Sequence, residues 1–191
     1  KSGIAPICDL SEAGVRLALG CDNCSGSDVQ NQFQAMKMFC LIAAVSDPEP
    51  GPPLAHEALR HATLGGARSA GLDGRLGAIR PGFKADLMLI DLDDAAYLPF
   101  NSATRQLVYT ETGRGIETVV VDGHIVMKDR KMLTVDEDAL RHEVGELMQG
   151  FIADYHEVVR TRADARSHLL DMHRRVWRHD VGLNRFLART R

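Results

Sequence analysis

Apolar residues change texture twice along the chain. Up to about residue 76 they form long stretches at helical spacing with one short apolar run between them, from there to about 133 they come in short runs broken by turn residues, and from 134 onward helical spacing returns. The changes predict three regions: residues 1–76, 77–133 and 134–191.

In the first region, Ile7 to Ala13 followed by Gly14 reads as a short helix closed by a glycine cap. Val15-Arg16-Leu17-Ala18-Leu19 then reads as a strand ended by Gly20. A small-residue polar loop follows, Cys21-Asp22-Asn23-Cys24-Ser25-Gly26-Ser27-Asp28, and a long helix from about Val29 to Val45 for which Ser27 or Asp28 is the expected cap. Met36, Met38, Phe39, Leu41 and Ile42 predict that the helix is broadly buried, with the methionines as core filling. Asp47 to Pro53 carries four prolines, which forces a loop, and helical spacing resumes from Leu54 to Ala70. A helix that delivers a buried strand, followed by another helix, is the repeating unit of α/β barrels.

The second region predicts a small β unit. Arg80-Pro81-Gly82 is a turn, Ala85 to Leu92 and Ile116 to Val121 are strands, Asp122-Gly123 is a hairpin turn, and Ile125 to Lys128 is the return strand. The third region predicts two helices, Asp136 to Tyr155 and Arg162 to Trp177, the first capped by Thr134 or Asp136. Repeats and low-complexity segments are absent.

Composition narrows the function classes. A formal charge of -3 gives no general reason for nucleic acid or an anionic membrane as partner. The stretch from Arg160 to Arg191 has nine arginines against three aspartates, but without interleaved aromatics it reads as a solvated helical face. No apolar run is long enough to span a bilayer. The chain opens on Lys1-Ser2-Gly3 without Met, so the start is expected not to be native. Cys8, Cys21, Cys24 and Cys40 fit reduced thiols in the cytoplasm better than a disulfide framework. Cys21-x-x-Cys24 also fits a zinc or redox switch, although no second ligand pair follows it. His56 and His61 are five apart, on different sides of a helix, and form no metal pair.

The chemistry concentrates at Asp22. At the carboxyl end of a barrel strand a residue stands at the mouth where active sites are built, and a carboxylate there binds a divalent metal or takes a proton from water held by one. On spacing alone the alternative, a turn or helix cap made by Asp-Asn, is favoured.

Resemblance alters that balance. Val15-Arg-Leu-Ala-Leu-Gly-Cys-Asp-Asn23 resembles the last barrel strand of the amidohydrolase superfamily, which delivers a metal-site aspartate; Cys21 stands where threonine is common. Residues 62–91, from Ala-Thr-Leu-Gly-Gly-Ala to Ala-Asp-Leu-Met-Leu-Ile-Asp, resemble that superfamily's passage from the final barrel helix into its small β domain. Val119-Val-Val-Asp-Gly-His-Ile-Val126 resembles the closing hairpin. The order of the three segments matches over about residues 3–150, and together they resemble the cytosine deaminase and chlorohydrolase type of metal-dependent hydrolase.

The resemblance implies an α/β architecture: the carboxy-terminal portion of a (β/α)8 barrel, part of a small β-sandwich, and terminal helices. It implies a deaminase acting on a C–N bond of a nitrogen heterocycle through water activated by one zinc or iron ion, with Asp22 as metal ligand and proton carrier and Asn23 and Ser25 orienting it or lining the pocket. It also implies a cytoplasmic enzyme and makes a homodimer a reasonable expectation. The superfamily's His-x-His pair and further histidine ligands are missing, since all eight histidines follow Asp22. The metal ligands other than Asp22 must therefore come from outside this segment, from the amino-terminal part of the same enzyme, and the chain alone is expected to be inactive. The alternative is a non-catalytic, partner-binding module of the same fold. Unpaired barrel edges argue against that alternative.

Overall fold

The computed structural model describes residues 4–27, 29–46 and 54–179. They divide into two compact units, one ending at Leu133 and one beginning at Thr134.

The first unit is organised by helix α3, Gln32–Ser46, which buries Phe33, Met36, Phe39, Cys40 and Ala43. The i, i+3, i+7, i+10 spacing of Phe33, Met36, Cys40 and Ala43 gives one continuous apolar face. Against it pack α1 (Ile7–Glu12), α4 (Leu54–Arg60) and α6 (Ala103–Tyr109), contributing Ile7, Ala55, Ala58 and Val108 to the same core. Alanines at 55 and 58 let α4 approach α3 closely. The helix is less buried than its composition predicts, because Met38 and Leu41 fall off the packed face and are about half exposed.

Residues 24–27 form a short α2, Cys24–Ser27, and the cap of α3 is Asn31 rather than Ser27. Asn31 Oδ1 accepts from the backbone N–H groups of Phe33 and Gln34 at 2.9 and 3.1 Å, two of the donors that a helix start leaves free. Asp28 and the expected proline loop 47–53 lie outside the described residues. The helix expected over Leu54 to Ala70 is continuous but irregular: α4 passes through a π-helical turn, His61–Gly65, into α5, Gly66–Ser69.

Val15 to Leu19 is extended but is not a strand of any sheet among the described residues. A strand exists only through a hydrogen-bonded neighbour. Here the segment's backbone is held by a helix instead, Leu19 N–H donating to the His61 carbonyl at 3.2 Å.

The β region is an antiparallel meander in the order β1-β2-β3-β4, built from Leu87–Ile90, Ile116–Val121, His124–Lys128 and Lys131–Met132. The expected Asp122-Gly123 turn joins β2 to β3 with both residues at positive φ, 49° and 81°, the geometry that matches strand twist. Lys84 Nζ pairs with Asp122 Oδ1 at 2.7 Å and Asp86 Oδ1 accepts from the Asp122 N–H, fixing the turn beneath β1. A second turn at Asp129 and Arg130, also at positive φ, adds β4, which the sequence did not announce. Helix α6 was equally unannounced, although Ser102 caps it in the ordinary way, its Oγ accepting from Arg105 N–H.

In the second unit Asp136 caps α7, Glu137–Thr161, with Oδ1 accepting from Asp138 and Ala139 N–H. Helix α8 runs Ala165–Arg178. Neither helix buries a residue.

Candidate functional site

Three contacts position the loop that carries Asp22. Gln32, the first residue of α3, donates from Nε2 to the Leu19 carbonyl at 3.1 Å, and its Oε1 accepts the Cys21 thiol at 3.7 Å. On the other side, the helical turn at Gly65 runs directly beneath Leu17: a Cβ on Gly65 would stand 2.5 Å from the Leu17 carbonyl oxygen. The apolar segment is therefore clamped between the start of α3 and the π turn, with Leu17 and Leu19 half-buried against the core and the loop from Gly20 to Ser25 exposed.

Asp22 is exposed, and its Oδ1 accepts from the Asn23 backbone N–H at 2.8 Å. Ser25 Oγ donates to Asn23 Oδ1 at 2.6 Å, closing the loop on itself. All three expected residues are thus brought together, with Asn23 touching Asp22 through its backbone and Ser25 touching Asn23. Gln32 was not singled out in advance; the signal for it is a polar residue opening an otherwise apolar helix. Cys21 and Cys24 are exposed free thiols, and no group of three or more His, Cys, Asp or Glu side chains arranged to hold a metal exists among the described residues. His56 is exposed, and His61 meets the Phe39 ring edge-on at 5.4 Å between centroids.

A different acid is buried. Glu111, 4% exposed, follows α6 and its Oε1 accepts three backbone N–H groups, from Gly113, Thr112 and Gly115, at 2.7, 2.9 and 3.1 Å. Burial pushes its pKa up, but the hydrogen bonds, led by that from Gly115, outweigh burial and hold the carboxyl below its ordinary range. Next to it, burial and the Glu111 carboxylate raise the Tyr97 hydroxyl. Arg114 forks onto Asp94 at 2.8 and 2.9 Å, which lowers the Asp94 pKa. Gln106 spans the same turn, accepting from Asn101 and Ser102 and donating to the Ala96 and Pro99 carbonyls. Glu111 Oε1, Asp94, Arg114 and Gln106 are each taken up by the loop they organise, whereas Glu111 Oε2 and the Tyr97 hydroxyl, both buried, have no hydrogen-bond partner among the described residues.

Residues 1–126 match the family model described as Amidohydrolase family. The chain is 36% identical over 146 residues to the 5-methylthioadenosine/S-adenosylhomocysteine deaminase of Acetivibrio thermocellus, an alignment covering 76% of this chain and 34% of that protein. Among solved structures it resembles an adenosine deaminase from Xanthomonas campestris with bound zinc, at TM-score 0.73 and 28% identity over 78% of this chain and 34% of the other. It also resembles the zinc complex of an atrazine chlorohydrolase from Arthrobacter aurescens, at TM-score 0.68 and 25% identity over 76% and 32%. The chain spans about a third of the length of the relatives it matches. With the family model matching most of the chain, from before the Asp22 loop into β3, the chain belongs to the amidohydrolase family.

Proposed function

We propose that this chain is the carboxy-terminal part of a metal-dependent aminohydrolase that replaces an amino group on an adenine ring with oxygen, releasing ammonia from a nucleoside modified at its 5′ position. The observation that carries the reading is Asp22: an exposed carboxylate at the end of a clamped apolar segment, in a chain whose relatives include deaminases of 5-methylthioadenosine and S-adenosylhomocysteine. Val15 to Leu19 supplies the last strand of a (β/α)8 barrel whose neighbouring strands belong to the rest of the protein, with residues 1–76 as barrel, 77–133 as the carboxyl-terminal strands of a small β-sandwich and 134–191 as terminal helices. The antiparallel meander and the α4–α5 helix beneath the extended segment suit that arrangement.

The residues present fit a single share of a metal site. Asp22 offers a hard oxygen ligand that forms no ion pair among the described residues, whereas a catalytic zinc ordinarily takes three protein ligands. One divalent ion, zinc or iron, completed by ligands from the amino-terminal part, supplies Lewis acidity that brings the pKa of water toward neutrality. Asp22 contributes a ligand oxygen and carries the proton between water and the leaving amine. The Asn23 N–H orients the carboxylate, and Ser25 holds the Asn23 side chain. The four free thiols suit a reducing cytoplasm, and no helix among the described residues is long and apolar enough to cross a membrane.

The test uses the complete protein. Asp22→Asn keeps the acceptor for Asn23 but not the negative charge, and should lower the rate of ammonia release from 5′-substituted adenosines by about 10²–10⁴-fold. Metal content measured alongside by elemental analysis separates ligation from proton transfer. Full activity in the variant, or no ammonia from any adenine nucleoside with the wild type, overturns the reading.

A further inference from the structure

The Glu111 turn and the Asp22 loop lie far apart in sequence, yet the first turn of α3 joins them. Glu111 Oε1 gathers the N–H groups of Thr112, Gly113 and Gly115, which fixes the direction of the Thr112 carbonyl. That carbonyl accepts from Asn31 Nδ2 at 2.8 Å. The other end of the same amide, Oδ1, caps α3 by accepting from the Phe33 and Gln34 N–H groups. Phe33 is buried and packs against the same turn, since a Cβ on Gly113 would stand 3.9 Å from its ring. The start of α3 is thus tied to the 112–115 turn twice, through a hydrogen bond and through an aromatic ring.

Gln32, between those two anchors, carries the tie on to the Asp22 loop. Its Nε2 donates to the Leu19 carbonyl at 3.1 Å and its Oε1 accepts the Cys21 thiol at 3.7 Å, so it grips the chain on both sides of Gly20 and directly before Asp22. A glutamine side chain has three rotatable bonds and holds a partner in place only as firmly as its own backbone is held. The identity of residue 31 bears on that firmness. Serine, aspartate and asparagine all cap a helix well, but among them only asparagine adds a separate N–H arm to the capping oxygen. Here that arm is used on Thr112.

We propose that Asn31 is a positioning residue for the metal-site carboxylate: it locks the start of α3 to the Glu111 turn, so that Gln32 holds the Asp22 loop in one place. The inference rests on the reading of Asp22 as a metal ligand. It makes the β region part of the support of the site, although neither Asn31 nor Gln32 has to touch metal or substrate.

The complete protein tests this with zinc as the metal and with N31D, N31S and Q32M. Aspartate and serine both keep an oxygen that caps α3, but neither has the second arm that donates to the Thr112 carbonyl. Gln32→Met removes both contacts to the loop from within the same helix. Zinc affinity is read by competition with a chelator, and kcat and KM for ammonia release from 5′-substituted adenosines are read separately. Each variant should raise the zinc dissociation constant and lower kcat by about 10–100-fold with KM little changed, the cost expected when the residue behind a metal ligand is lost. Placed on Asp22→Asn, the same substitutions should add no more than about twofold, because a residue that acts through Asp22 then has nothing left to position. Circular dichroism checks that the helices persist. Wild-type zinc affinity in N31D and N31S would mean that Asn31 only caps α3, and losses of equal size with and without the Asp22 carboxylate would mean a general structural role; either result overturns the proposal, and so does wild-type zinc affinity in Q32M. The reading of Asp22 fails in a different way: D22N alone then keeps both zinc affinity and ammonia release, and the proposal falls with it.

Discussion

The Asp22 loop and the Glu111 loop each hang a carboxylate from the same helical core, and they use it in opposite ways. Glu111 is buried and its Oε1 is committed to three backbone donors, so it serves the turn that connects α6 to β2. Asp22 is exposed and bonded to its own neighbour, Asn23, while the scaffold behind it is held by Gln32 and by the Gly65 turn. A buried acid with one oxygen committed to three backbone donors is a structural element. An acid held out by a rigid segment, with charge not cancelled by a described cation, is available to a ligand.

The comparison is broken most severely at Glu111. Glu111→Ala leaves three N–H groups in a buried turn without their acceptor and should destabilise the first unit by about 3 kcal/mol, at the upper end of what unsatisfied buried polar groups cost. Urea denaturation followed by circular dichroism reads the loss as a lower midpoint. The same carboxylate gives a pH signature. Its folded pKa lies below the unfolded value, so the folded state binds fewer protons between the two, and the stability Glu111 contributes is present above the unfolded pKa and lost as pH falls through the folded one. Wild type should therefore lose more stability than Glu111→Gln on acidification through that window, and parallel pH profiles would show that the charge at 111 is not what the turn relies on.

Next comes the clamp under the Asp22 segment. Gly65→Ala places a Cβ 2.5 Å from the Leu17 carbonyl oxygen, a contact with backbone that no side-chain rotation relieves. Either the π turn or the extended segment must move, at a cost of about 1–3 kcal/mol. Because Leu17 lies five residues before Asp22, the complete protein should also lose activity by more than its loss of stability explains. Unchanged urea midpoint and activity would show that the segment is not clamped at this point.

Sequence made some of this visible and not the rest, for physical reasons. Asp22 could be singled out as a candidate because a short apolar run followed by small polar residues reads as a strand end and three segments in family order gave that mark a meaning; its role in the site is the proposal made above. The Asp122-Gly123 turn was legible because positive φ at both positions selects those residues. Helix α6 was not: seven residues, Ala103–Tyr109, give too little periodicity, and what fixes it is non-local, Val108 in the core and Gln106 bridging to Ala96 and Pro99. The Glu111 cradle was equally hidden, since an acid near two glycines looks like any exposed turn. Val15 to Leu19 shows the converse limit. Its composition says strand, but pairing needs neighbours, and among the described residues the neighbour is a helix.

The smallest structural effect is expected where the functional one is largest. Asp22→Asn preserves an oxygen acceptor for the Asn23 N–H, removes no buried contact and leaves Gln32 and Gly65 holding the segment as before. Its stability should stay within about 0.5 kcal/mol of wild type in urea, as for surface positions outside any network. A shift of 1 kcal/mol or more would mean that the Asp22 charge organises its own loop, as Glu111 does, and the distinction between the two acids would fall. Unchanged stability, against the loss of ammonia release expected for the same variant in the complete protein, separates holding the loop from doing its chemistry, because a residue whose only task is to cap a turn moves the urea midpoint first.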